Sequence, residues 1–264
     1  MSIEAVLAMD ISVQYPNHPD VLSGVKLEIL PGEIVGLVGQ SGSGKSTLSL
    51  AILGLLGMKG GTVAGTVKVN GRELVGLPER EMRSMRGREI GLILQSAMSS
   101  LNPALRIATQ MREAWKAHVS TGNADEVIAE ALRSVGLPYD ESFLRRYPAE
   151  VSVGQGQRIL IAMGLLHNPS LLIADEPTSA LDIITQAEVL ELFRKLNREK
   201  GSAILFISHD LLSVASICHR VAILNGGRIV ECAPTAEIFQ SPKNEYTRRL
   251  VEAIPGDRAL ASGA

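Results

Sequence analysis

Apolar and polar positions change period several times along the chain. Residues 4–14 and 24–30 alternate, with Val6, Ala8, Asp10 and Ser12 in one register and Val25, Leu27 and Ile29 in the next. A period of two predicts antiparallel strands, here joined by a turn at Tyr15-Pro16-Asn17-His18-Pro19. Ile34–Val38, Ile90–Leu94, Leu171–Ala174 and Ser202–Ser208 are instead nearly continuous aliphatic runs. Runs of that kind predict strands buried on both faces. Gly65–Gly71 reads as one more strand closed by an Asn-Gly turn, and Val221–Leu224 with Arg228–Glu231 as a hairpin through Asn225-Gly226.

Helical spacing takes over elsewhere. Leu48–Leu53 and a short charged segment, Glu79–Arg86, are predicted helices. So are Ile107 to about Val119 and Asp125–Val135, where Ile128, Leu132 and Val135 share a face. Ser152 followed by Gln155 forms a capping box that opens a helix. Its run Arg158–Leu166 is apolar nearly all round, so it is buried on most faces. Asp182–Lys200 reads as a long amphipathic helix, and two short helices are expected around Ala236 and Arg248. Ser96–Pro103 reads as a loop and residues 256–264 as a frayed end. The order is α/β, with antiparallel strands first and a block of helices interrupting the alternation.

The chain has 264 residues, 45% hydrophobic but only 3% aromatic, so the core must be built from aliphatic side chains. A formal net charge of −2 lacks the basic excess of a nucleic-acid binder. No apolar run is long enough to span a bilayer. The first ten residues carry acids where a signal peptide needs basic ones. Cys218 and Cys232 have no metal-ligand spacing and read as reduced thiols.

Chemistry concentrates after the strand at Ile34–Val38. Gly39-Gln40-Ser41-Gly42-Ser43-Gly44-Lys45-Ser46-Thr47 fits the phosphate-binding pattern G-x-x-x-x-G-K-[ST], between a strand and a helix. The bare pattern arises by chance in roughly one chain in a hundred of this size. The apolar flanks separate it from a flexible Gly/Ser linker. Glycines there let backbone N–H groups face a phosphate at a helix N-terminus. Lys45 would reach the β- and γ-phosphates, and Ser46 would ligate Mg²⁺. Asp175 ends an aliphatic strand, where open α/β sheets bind ligands, and would hold the same metal. Glu176, facing the other way, suits a general base for an attacking water.

With these residues the sequence resembles the ATP-binding subunit of an ABC transporter over nearly its full length. The resemblance implies a P-loop NTPase (RecA-like) core with an N-terminal antiparallel β-subdomain and an inserted helical subdomain. On that reading the ATPase domain covers 1–240, its core 1–95 and 166–240, its helical part about 96–165, and a tail 241–264. Gly39–Ser46 and Leu171–Asp175 resemble the two Walker motifs, with Glu176 as the catalytic glutamate. Gln95 matches the glutamine that senses Mg²⁺ and water, and His209 the histidine that contacts the γ-phosphate. Tyr15 sits where the family places an aromatic against adenine, and Asp182 closes the segment Pro177–Asp182 that resembles the D-loop. The signature motif is altered: Val151-Ser152-Val153-Gly154-Gln155 stands where Leu-Ser-Gly-Gly-Gln is usual. Ser152, Gly154 and Gln155 are retained, and the Val153 side chain is expected to face the subdomain interior. Ser96-Ala97 also replaces an acid and a proline often found after the glutamine.

Ser99-Ser100-Leu101-Asn102-Pro103, Arg146-Tyr147-Pro148, Leu172–Thr178 and Ser241–Arg248 are similar to the oligopeptide, dipeptide and nickel import branch. The chain ends before the cysteine-bearing extension of longer members, so no metal cluster is expected. The resemblance implies ATP and Mg²⁺ as ligands and two transmembrane permease subunits made as separate chains. It also implies a second ATPase subunit, paired head to tail as a hetero- or homodimer, and a substrate-binding protein acting indirectly. In such a pair Ser152–Gln155 of one subunit complete the nucleotide site of the other. Nucleic acid is not an expected partner, and the expected place is the cytoplasmic face of the inner membrane, peripherally bound. Two other functions compete with solute import: a soluble ABC ATPase switching DNA repair or translation machinery, and an exporter ATPase. The Ser-Leu-Asn-Pro loop and the tail weigh against the exporter. The short helical insert, single nucleotide-binding unit and ordinary charge weigh against the soluble switch.

Overall fold

The computed structural model describes residues 4–119 and 121–254; the end expected to fray, 256–264, lies outside them. Strand β1 (Leu7–Tyr15) turns through Pro16-Asn17 into β2 (His18–Ile29), with Tyr15 paired to His18. Both strands reach further into the expected turn than their alternation shows. In β1, Leu7, Met9, Ile11 and Val13 form the buried face. Strand β3 (Ile34–Val38) is buried at every position and leads to helix α1 (Lys45–Ile52).

A 3-10 turn (Leu56–Lys59) precedes β4 (Thr62–Val69) and the short β5 (Arg72–Glu73). Asn70 and Gly71 between them both have positive φ, 49° and 76°, as a two-residue hairpin turn of this twist requires. Helix α2 (Glu79–Met85) and strand β6 (Ile90–Ile93) complete the first half.

Residues 96–103 are not all loop: Ala97–Ser100 form one helical turn, α3, because Ala97 and Leu101 are drawn into the core. Helices α4 (Ile107–Lys116), α5 (Ala124–Ser134), α6 (Glu141–Leu144) and α7 (Val153–Leu165) follow. Buried Gln110 accepts from the Asn102 N–H at 2.8 Å and donates to the Leu105 carbonyl at 2.9 Å, fixing the segment before α4. Arg158 donates to the Val135 carbonyl at 2.7 Å and pairs with Glu188 at 2.9 Å. It thereby joins α7 to the end of α5 and to the next long helix.

Strand β7 (Leu171–Asp175), helix α8 (Ile183–Lys200), strand β8 (Ala203–Ser208) and helix α9 (Leu211–Ile217) return the chain to the sheet. Seven residues are too few for a periodic signal, so α9 was not legible; its Asp210 cap defines it. Strands β9 (Arg220–Asn225) and β10 (Arg228–Pro234) form the expected hairpin, but Asn225 pairs with Arg228. The turn is therefore Gly226-Gly227, both at positive φ, rather than Asn225-Gly226. Helices α10 (Thr235–Gln240) and α11 (Glu245–Glu252) close the described chain.

Two sheets result: an antiparallel one, β2-β1-β4-β5, and a six-stranded one, β10-β9-β3-β8-β7-β6. The central strands divide their side chains between two cores. Val35, Leu37, Ile173, Leu205 and Ile207 pack toward the antiparallel sheet and α1. Ile34, Val38, Leu172, Ala174, Ile204 and Phe206 pack toward the helices. Strands β3, β8 and β7 are parallel neighbours, with Val38 opposite Ser208 and Asp175 opposite Ile207. Their C-terminal ends therefore stop side by side. No described helix is long and apolar enough to cross a membrane.

Candidate functional site

The aligned strand ends open into a cleft of about 580 Å³. From the glycine-rich loop it is lined by Ser41, Gly42, Gly44, Lys45, Ser46 and Thr47. Gln95, Asp175, Glu176 and His209 line it from the ends of β6, β7 and β8. Residues separated by more than a hundred positions converge because the strand order places β8 between β3 and β7.

The loop's shape is set by backbone. Gly44 caps α1 at φ 107°, and a Cβ there would stand 2.6 Å from the Leu22 Cδ2 atom. Only glycine fits both constraints. Lys45 is buried, and its ammonium donates to the carbonyls of Gly39 at 2.7 Å and Gln40 at 3.2 Å. Gly39 and Gln40 thus serve the site through the lysine. The Ser43 hydroxyl is buried without a partner among the described residues. Ser43 does not itself line the cleft; its hydroxyl lies beneath the loop, against Gly39.

Burial, and next the neighbouring Glu176, raises the Asp175 carboxyl above the usual range, while Lys45 opposes them. No hydrogen bond contributes to that balance. An under-compensated carboxylate, the Ser46 hydroxyl and the Gln95 amide oxygen form an all-oxygen donor set in one cleft. Hard divalent cations take such ligands, so the residues fit Mg²⁺.

Glu176 adopts φ 49°, a left-handed conformation that costs a non-glycine residue. Its N–H donates to the Ile207 carbonyl at 2.9 Å. Its own carbonyl accepts from the Ser179 N–H at 3.3 Å and the Ser179 hydroxyl at 3.1 Å. These bonds hold the carboxylate 2.5 Å from His209 Nδ1. An ionised carboxylate can only accept, so the imidazole donates from Nδ1 and keeps Nε2 for another partner.

The remaining predicted residues lie elsewhere. Ser152 caps α7: its hydroxyl accepts from the Gln155 N–H at 3.1 Å, and Gln155 Oε1 accepts from the Ser152 N–H at 3.1 Å. Gly154 abuts α8, where a Cβ would stand 2.6 Å from Thr185 Cγ2. Asp182 caps α8, accepting from the N–H groups of Ile184 and Thr185 at 3.0 Å and from the Thr185 hydroxyl at 2.7 Å. The Thr185 N–H and hydroxyl hold the Asp182 carboxyl below its usual range. None of Ser152, Gly154, Gln155 and Asp182 lines the cleft.

Val153 does not face the subdomain interior. At the first position of α7 it is 44% exposed; at the start of α8, Ile183 and Ile184 are 87% and 74% exposed. Tyr15 is not brought into the cleft either. Its half-buried ring lies over Gly61, where a Cβ would approach within 2.9 Å. Val21, on β2, does line the cleft. Nothing in the sequence marks it, because its place depends on how the two sheets stack.

The ABC transporter family profile matches residues 22–179. A putative peptide import ATP-binding protein of Brucella ovis is 43% identical over 242 residues, covering 89% of this chain and 72% of its own length. The oligopeptide transport ATP-binding protein OppD of Bacillus subtilis is 42% identical over 244 residues, covering 91% and 68%. A solved ATP-binding cassette, dimeric and bound to ADP and Pi in a post-hydrolysis state, superposes with a TM-score of 0.73 at 27% identity. That match covers 87% of this chain and 98% of the cassette.

Proposed function

The chain belongs to the ABC transporter family, and from that premise we propose that it is the ATPase that energises peptide import through separate membrane subunits. It binds and hydrolyses ATP. The observation that carries the reading is the convergence of Lys45, Ser46, Asp175, Glu176 and His209 in one cleft. The names of the relatives, peptide import and oligopeptide transport proteins, support import over export and over a role on DNA or ribosomes.

Lys45 exchanges its two carbonyl partners for phosphate oxygens when nucleotide enters. Ser46, Asp175 and Gln95 are the residues that would hold Mg²⁺. When bound, that ion neutralises charge between the β- and γ-phosphates. Glu176 takes a proton from water as the water oxygen bonds to the γ-phosphorus. The bond from that phosphorus to the β,γ-bridging oxygen breaks, leaving ADP and phosphate. His209 donates from Nδ1 to Glu176, and as an imidazolium it would donate from Nε2 to a phosphate oxygen as well.

ABC ATPases of import systems work as pairs and with membrane permeases. We assign this chain two permease subunits, one ATPase partner and, indirectly, a substrate-binding protein, at the cytoplasmic face of the membrane. Ser152, Gly154, Gln155 and Asp182, which lie outside their own cleft, would complete the partner's nucleotide site. The helices between Gln95 and Leu165 would dock on the permeases. Purification in mild detergent tests this: two permeases and a second ATPase should accompany the chain. Recovery with ribosomes or DNA in their place would overturn it.

A further inference from the structure

Beyond the residues that line the cleft, one polar side chain ties two parts of the machinery together. Gln186 lies on the first turns of α8, and its N–H donates to the carbonyl of the cap, Asp182, at 2.8 Å. Its side-chain amide reaches across to the segment after β8. It donates to Asp210 Oδ2 at 2.9 Å and to the Ser213 hydroxyl at 2.6 Å. The amide must face Asp210 with its nitrogen, because a carboxylate only accepts. Ser213, which is buried, donates its own hydroxyl to the same carboxylate oxygen and closes a triangle.

Asp210 is the residue after His209. It is anchored on its own side as well: its N–H donates to the Ser208 hydroxyl at 3.0 Å. Its Oδ1 accepts from the Leu212 N–H at 3.0 Å. These bonds cap α9 without help from α8. His209 is 60% exposed, and its side chain bonds to Glu176. Packing therefore does little to fix the imidazole; its backbone position must do so. Arg194 of α8 also donates to the Ser216 carbonyl at 2.5 Å, at the far end of α9; beside His209 the tie to α8 is the one from Gln186.

We propose that Gln186 is a positioning residue for hydrolysis, holding the Asp210 backbone so that His209 stays against Glu176. The proposal rests on the reading of Glu176 and His209 as the hydrolytic pair. It also gives the α8 N-terminus, with its exposed Ile183 and Ile184, a mechanical route to the histidine. A partner ATPase seated on that surface would act on His209 through one side chain.

The test uses the full chain with its co-purified membrane subunits and compares Gln186→Ala, Gln186→Glu and Glu176→Gln with the unaltered protein. Gln186→Ala should lower kcat about tenfold with KM for ATP within about twofold, since a misplaced group near the reacting atoms costs rate more than binding. Gln186→Glu keeps the shape but sets a second carboxylate against Asp210, so it should lower kcat further than alanine does. The thermal midpoint of Gln186→Ala should stay near that of the unaltered protein, because the α9 cap is intact. Gln186→Ala is therefore the variant whose midpoint is read, since the added charge of Gln186→Glu strains the cap itself. Wild-type kcat in either variant, with Glu176→Gln inactive, overturns the role of Gln186 alone. A joint change of kcat, KM and midpoint in Gln186→Ala would make Gln186 a structural strut and also overturn it. Full activity in Glu176→Gln would remove the hydrolytic pair and this proposal together.

Discussion

The glycine-rich loop and the α7–α8 junction both begin helices, and they do it in opposite ways. At α1 the cap is Gly44, with no side-chain bond, and the first helical residue, Lys45, is buried and held by two carbonyls. At α7 and α8 the caps are Ser152 and Asp182, fully bonded, and the first helical residues, Val153 and Ile183, point into solvent. The acids differ as well. Asp175 is under-compensated and its carboxyl is raised, whereas Asp182 accepts three hydrogen bonds and its carboxyl is lowered. The first region has bonds still to make within its own cleft. The second is locally satisfied and offers its surface outward. One chain thus carries two unlike helix-start regions, and its cleft brings only some of the expected residues together.

The largest effect should come from the cleft. Glu176→Gln should lower phosphate release by about 10²–10⁴-fold while ATP still binds, the usual worth of a general base. Turnover near wild type would remove Glu176 from that role. Lys45→Ala should weaken ATP binding on the order of 10- to 100-fold, the loss of one charged hydrogen-bond donor, as measured by nucleotide titration.

The outward-facing region should behave differently if it completes a partner's site as proposed. Val153→Asp keeps the helix start favourable, since a negative charge suits an N-terminus. It also places that charge where the partner's triphosphate would arrive. ATP titration of the purified chain alone should be unchanged within about twofold, and turnover of the assembled transporter should fall about tenfold, comparable to like-charge cost near a bound phosphate. Equal loss in both preparations would mean that the two regions act on one nucleotide.

The smallest effect is thermal and has opposite sign in the two regions. The folded state binds a proton at Asp175 more tightly than the unfolded chain does. Its ionised form therefore costs stability above the folded pKa, and that cost disappears as pH falls below the unfolded value. Asp175→Asn should raise the melting midpoint at neutral pH without Mg²⁺ by about 2 °C. Asp182 is held low, so its contribution is present above the unfolded pKa and is lost as pH falls through the folded one. Asp182→Ala should lower the midpoint at neutral pH, and the difference should shrink in acid. A rise in both variants would erase the contrast.

Much of the architecture was legible because it is written in periods. Ile34–Val38 was readable to the residue, since five aliphatic positions end at a glycine-rich turn. The Ser152–Gln155 capping box was readable because both of its bonds lie within four residues. Other features depend on distant neighbours. Ala97–Ser100 became helical because Ala97 and Leu101 found a core to enter. Tyr15 found Gly61 rather than the cleft. Val153 looked like an interior side chain until the α7–α8 contact occupied the inner face with Gly154 and Thr185.

By itself the sequence determined the local chemistry: a glycine-rich loop ending in Lys45 and Ser46, two acids closing an aliphatic strand, and a capped helix at Ser152. Backbone periodicity and hydrogen bonds over a few residues are enough to specify such features. Only the tertiary structure decided which of them meet. It placed β8 between β3 and β7, set Glu176 in a left-handed conformation against His209, and joined Gln186 to Asp210. Contacts between residues far apart in the chain arise from the stacking of sheets and helices, and no short stretch of sequence contains that packing.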